Sequence, residues 1–186
     1  MAEFRAFAPT VQVLGDVLNA FIGGFPSEVL STGKIILENH GIKDPRAGDF
    51  YPIQHFLDAM KEVSDKYSGQ MLFRIGFQIA NNAKLPPGID SLEKALELID
   101  TAYHMNHRGG EIGHYLYTSL GFDGLLNRGR MLCHNPYPCF FDLGVVEGFT
   151  KRFKPADCRD VLVRHDESQT CRRQGGESCT YLISWG

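Results

Sequence analysis

The first 132 residues of this chain contain no cysteine, and all five cysteines fall at 133, 139, 158, 171 and 179. An odd number excludes complete disulfide pairing, and the clustering argues for a local purpose such as a metal site, a reactive thiol or one disulfide. The chain also lacks a basic excess. Its net charge is -3, which excludes nucleic-acid binding through a broad cationic surface. It lacks a long apolar run, because the stretch 11–25 carries Asp16 and Asn19 and is too short to span a bilayer. The N-terminus lacks the basic and apolar regions of a signal peptide. These absences together predict a cytoplasmic protein whose thiols are reduced and serve as ligands or packing.

Several catalytic signatures are missing as well. No Gly-x-Gly-x-x-Gly, Walker loop, His-Glu-x-x-His or Gly-x-Ser-x-Gly occurs, and no carboxylate pairing singles out a general acid and base. Catalysis is therefore not expected. There are no internal repeats and no low-complexity tract. What is present is an ordinary globular composition, 43% hydrophobic and 22% charged over 186 residues, enough for one domain with its own core.

Hydrophobic spacing predicts helices over 10–24, 26–40, 52–67, 70–82 and 91–107, the last with Asp90 and Glu93 as a capping box. Lys84-Leu85-Pro86-Pro87-Gly88 is a firm stop between the last two. After Gly109-Gly110 the period changes. Segments 114–120, 128–133, 158–165 and 179–185 read as strands, with a helix over 138–153 between the second and third. Gly144 and Gly148 in that helix admit the close approach of another backbone. The order predicts an α+β fold, with a helical part over 1–109 packed on a small antiparallel sheet in 110–186.

The chemistry points to the last third. Cys171 and Cys179 flank Gly175-Gly176, a turn able to fold back and aim both sulfurs at one centre. Thiolates suit zinc, and a closed site needs about four donors. Cys139 with His165, Asp166 or Glu167 would complete it; the alternatives are core packing and a Cys171–Cys179 disulfide. His104, near the end of an apolar helix, is a candidate axial ligand to haem, set against a helix-ending histidine favoured by the dipole. Thirteen Phe and seven Tyr suffice to line an apolar cavity. His114, Tyr117 and Phe140 are the candidate pocket residues.

Residues 110–185 resemble a vinyl-reductase-type domain, also called a hydrocarbon-binding domain. The resemblance is carried by Asn135-Pro136-Tyr137-Pro138-Cys139, by Gly144 and Gly148, and by Cys171 through Cys179 leading into Tyr181-Leu182-Ile183. It implies a fold shared with subunits of the transport-protein-particle (TRAPP) tethering complex and, more distantly, with haem-based nitric-oxide-binding domains. In the phenol-responsive branch of the family a zinc is held by three cysteines and a glutamate. Cys139, Cys171 and Cys179 match the cysteines. The glutamate's position is Ser168 here, and Glu167 is one residue off. The haem branch carries a Tyr-x-Ser-x-Arg motif that this chain lacks.

The resemblance implies a sensory module binding a small apolar or aromatic ligand, buttressed by zinc at Cys139, Cys171, Cys179 and Glu167. With no effector domain in the 186 residues, it would signal through a homodimer or a separate effector protein. The alternatives are a haem- or tetrapyrrole-binding protein or tetrapyrrole-acting enzyme, with His104 as ligand, and an assembly subunit like those of the tethering complex.

Overall fold

The computed structural model describes residues 3–83 and 85–186; Lys84 of the Pro-Gly stop and the first two residues lie outside them. The expected α+β order is observed. Helices α1 (Gly15–Gly23), α2 (Leu30–Asn39), α3 (Ile53–Tyr67), α4 (Gly69–Asn82) and α5 (Leu92–Asn106) make up the first part. Three short strands lie before, among and after them, β1 (Gln12–Leu14), β2 (Phe50–Pro52) and β3 (His107–Arg108). Strands β4 (His114–Phe122) and β5 (Asn127–His134), helix α6 (Cys139–Phe153) and strands β6 (Val161–His165) and β7 (Cys179–Trp185) follow. The last four strands form an antiparallel sheet in the order β4-β5-β7-β6.

Helices α3, α4 and α5 form where apolar residues recur every three to four positions. In α3, Ile53, Phe56, Leu57, Met60 and Val63 are buried, while Lys61 and Asp65 pair on the outer face. The α5 cap differs from the expected one. The Ser91 hydroxyl accepts from Lys94 N–H, and Asp90 pairs with the Lys94 ammonium. A serine at the cap position leaves Asp90 one residue too early to serve.

The segment expected to be one helix over 10–24 begins as strand β1. It pairs antiparallel with β2 and β3. Both partners are distant in sequence, and the ladder they offer outweighs the local helical spacing.

The two halves meet backbone to backbone between α4 and α6, as the glycine spacing predicts. A Cβ on Gly144 would lie 2.1 Å from the Phe73 carbonyl oxygen, and one on Gly76 would lie 2.3 Å from that of Phe141. On the inner face of the sheet, Tyr115, Cys133 and Cys179 align in one row and Tyr117, Met131 and Tyr181 in the next. Most of these side chains are buried, and α6 packs over them.

Candidate metal centre

Four elements bring their ends to one place. Pro138, with its fixed φ, leads into α6, and Asp142 N–H bonds its carbonyl, so Cys139 stands at the first helical position. Its N–H donates to the Glu3 carboxylate at 2.7 Å. Strand β7 begins at Cys179. Strand β6 ends at His165, on the inner face with Val161 and Val163, because side chains alternate along a strand.

The segment between these strands folds back through a short 3₁₀ turn over Arg172–Gln174. Gly175 takes φ +86°, and Gly176 N–H bonds the Cys171 carbonyl at 2.9 Å. A side chain at Gly176 would collide with the Thr170 carbonyl, 2.5 Å from its Cβ. The Gly-Gly pair thus does what the sequence suggests, returning Cys171 toward Cys179.

One donor atom from each of Cys139, His165, Cys171 and Cys179 lies within 4.8 Å of every other. The cysteines are free thiols, and the Cys139 and Cys179 sulfurs approach to 2.8 Å. The bond from Cys139 holds the Cys179 thiol well below its usual range, assisted by the Arg172 cation against the cost of burial. The same contact raises Cys139, so one thiolate is shared within the pair. The Nε2 atom of His165 is buried and makes no hydrogen bond of ordinary geometry, and the ring lies beside the Cys179 thiol, which it helps hold down. Three sulfurs and one imidazole nitrogen supply the four soft and borderline donors that a closed zinc site needs, and their chemistry fits zinc.

Glu167, the expected fourth donor, stands outside this cluster. It is exposed, past the end of β6, and lines a cleft of about 500 Å³ beside the cluster, together with Gln169, Arg173 and Gln174. His165 takes its place in the donor set because it is the last residue of β6 in phase with the inner face. Cys133 and Cys158 are buried apart from the set, as packing residues.

Behind the centre lies a polar cluster that the sequence reading missed. Asp142 and Arg172 are a fully buried ion pair at 2.7 Å. Arg172 also donates to Asn135 Oδ1 at 2.8 Å, and the Tyr115 hydroxyl donates to Asp142 at 2.6 Å. Burial raises the Asp142 carboxyl to about 7 despite these donors. The available signal was one acid, Asp142, set among Phe141, Val145 and Val146 on a buried helix.

The three candidate pocket residues are not brought together. His114 is exposed and faces His134, whereas Tyr117 reaches Glu93 from the other face of β4. Phe140 lies over Gly69 and under Arg173. An odd spacing of three residues puts His114 and Tyr117 on opposite sides of the sheet.

His104 stands on the outer side of α5. Its side chain is 47% exposed, and its Nδ1 meets the Asp100 carbonyl at 2.9 Å. The seam between the helices and the sheet is filled by Phe56, Tyr103, Tyr115, Tyr137 and Phe141, ring against ring. His107, the imidazole that does enter this seam, bonds at both nitrogens. In this packing the residues do not fit a haem held through His104.

No family model and no curated protein matches the sequence. Solved structures do match the fold. An H-NOX protein from S. oneidensis in the Fe(II) ligation state superposes with a TM-score of 0.66 at 16% identity, over 93% of this chain and 96% of that one. A phenylalanine-to-leucine variant of Tt H-NOX gives 0.59 at 13% identity over 92% and 93%. A structure from a study of haem distortion in the H-NOX family gives 0.57 at 14% over 92% and 93%. The fold is therefore H-NOX-like. The haem-based nitric-oxide-binding branch, placed as the more distant likeness from sequence, is where the structural neighbours stand. Among the described residues no helix is long and apolar enough to cross a membrane.

Proposed function

We propose that this chain is a small-molecule sensory domain on an H-NOX-like fold, whose sheet is clamped to α6 by zinc held at Cys139, His165, Cys171 and Cys179. The observation that carries the metal assignment is the buried Nε2 of His165, without a hydrogen bond of ordinary geometry, beside three converging sulfurs. A buried imidazole nitrogen left without such a bond costs free energy that a bound cation removes. The sensory assignment is supported by the neighbours, H-NOX proteins described by their ligation states and haem distortion. Zinc here is structural, tying a loop, a strand end and a helix start together, and its binding adds directly to folding free energy. The domain reports to a separate effector or a second copy and carries out no reaction itself.

Elemental analysis of the purified protein tests the centre. We expect about one zinc per chain, lost in Cys171→Ser and in Cys179→Ser. Less than a tenth of an equivalent in the unmodified protein would overturn the assignment.

A second reading, a haem-binding sensor, is favoured by the haem of the H-NOX neighbours. It requires the seam around Tyr103 and Tyr137 to open and His104 to turn inward. Titration with haemin decides it. A stoichiometric Soret band that shifts in His104→Ala establishes this reading, and a spectrum of free haemin alone dismisses it.

A further inference from the structure

A buried ion pair is weak support for stability, since apolar residues of equal volume serve as well or better. The Arg172–Asp142 pair, with both side chains at 0% exposure, therefore needs another reason to be there. Its position supplies one. Arg172 follows Cys171 directly and belongs to the turn that carries the loop's two sulfurs. Asp142 is three residues beyond Cys139, on the same side of α6. The pair thus joins the loop sulfurs to the helix sulfur through side chains alone.

The rest of the cluster sharpens this geometry. Asn135 accepts from Arg172 at 2.8 Å and also accepts from Tyr137 N–H at 2.9 Å, so the strand-to-helix turn before Cys139 is held by the same guanidinium. The Arg172 cation also lies close enough to Cys179 to help hold its thiol down. Tyr115 fixes the far oxygen of Asp142 from β4. The two terminal nitrogens of the Arg172 guanidinium thus tie the loop to Asn135 and to Asp142 on the α6 side.

We infer that Asp142, acting through Arg172, is a positioning residue that sets the Cys171–Cys179 loop against Cys139 before any metal enters. The inference rests on the zinc assignment for its purpose, but the latch itself is independent of metal. Partners that orient metal ligands from outside typically contribute 10- to 100-fold in metal affinity.

Two measurements test it. In the double variant Asp142→Leu/Arg172→Met the buried charges are replaced together, so the fold is retained with a melting temperature near that of the unmodified protein. A chelator should then strip its zinc about tenfold faster or more. Release at the unmodified rate from a folded double variant would overturn the inference, because the pair would then be structural filling only. The second measurement is made on metal-free protein. Asp142→Asn should speed amide exchange over 171–178 about tenfold while β5 and β7 stay protected. Unchanged exchange there also overturns the latch. Protein that takes up no zinc, yet shows the loosened loop, refutes the metal assignment and leaves the latch standing.

Discussion

The Nε2 of His107 lies 2.6 Å from the Tyr137 phenolic oxygen, while its Nδ1 lies 2.7 Å from the Tyr103 carbonyl. A carbonyl only accepts, so Nδ1 carries the proton and Nε2 accepts from the Tyr137 hydroxyl. His107 is thereby fixed as a neutral imidazole joining α5 to the turn before α6. Burial lowers it from 6.5 to about 4.

This has a consequence for stability. Between pH 6.5 and about 4 the unfolded chain binds a proton that folded His107 refuses, so stability is present above 6.5 and is lost as pH falls toward 4. The full loss from this group is about 3 kcal/mol. The difference between the unmodified protein and His107→Gln in urea unfolding at pH 7 and pH 4.5 isolates it, because Asp142, raised toward 7 by burial, adds a slope of opposite sign to both. His107→Gln, which cannot titrate, should flatten that part of the pH dependence, and an equally steep loss in the variant would assign it to other groups. Tyr137→Phe at pH 7 leaves the Nε2 acceptor unpaired and should cost about 1–3 kcal/mol.

Glycine substitutions separate contact from conformation. Gly144→Ala drives a methyl into the Phe73 carbonyl, a backbone atom that cannot swing aside. It should destabilise the protein by about 3 kcal/mol. Gly23 closes α1 with nothing within 4 Å of its Cβ position. Gly23→Ala should therefore stabilise by about 0.5–1 kcal/mol, by restricting the unfolded chain. Denaturant midpoints of the two variants, moving in opposite directions, check both.

The buried cysteines outside the donor set should behave as packing. Burial raises the Cys133 thiol, with Asp142 adding to the effect. In folded, zinc-loaded protein neither Cys133 nor Cys158 should be alkylated on the timescale of labelling an exposed thiol. Cys133→Ala should keep the full zinc content. Loss of zinc in that variant would widen the centre beyond the four donors.

The helices α3 to α6 and the last four strands were legible because each buries one face against one partner layer, and that requirement writes a period into the sequence. Strands β1, β2 and β3 were not legible. They are short, and their pairing is set by residues such as Arg108 and Pro52, far away in the chain. The three sulfurs stood out because cysteine is confined to the last third. The fourth donor hung on strand phase, which separates His165 from Glu167 and needs the end of β6 to be known. The cluster of Asp142, Arg172, Asn135 and Tyr115 left almost no trace. Its members come from four elements, and each alone looks like an isolated polar residue in an apolar stretch.

The choice between His165 and Glu167 is open to direct measurement. Both stand within two residues of each other beside the same cleft, but only the imidazole lies inside the donor set. Removing a donor from a closed four-ligand site leaves three ligands and an open position, which water fills with weaker affinity. His165→Ala should therefore bind zinc at least about tenfold more weakly. Glu167→Ala should bind it as the unmodified protein does. Replacing zinc with cobalt gives a second readout, since the intensity of the visible bands reports tetrahedral geometry and the sulfur-to-metal bands report the thiolates. The Glu167→Ala spectrum should match the unmodified one, whereas His165→Ala should keep the sulfur bands and lose intensity in the visible. The reverse pattern would return the carboxylate to the centre and make His165 a bystander.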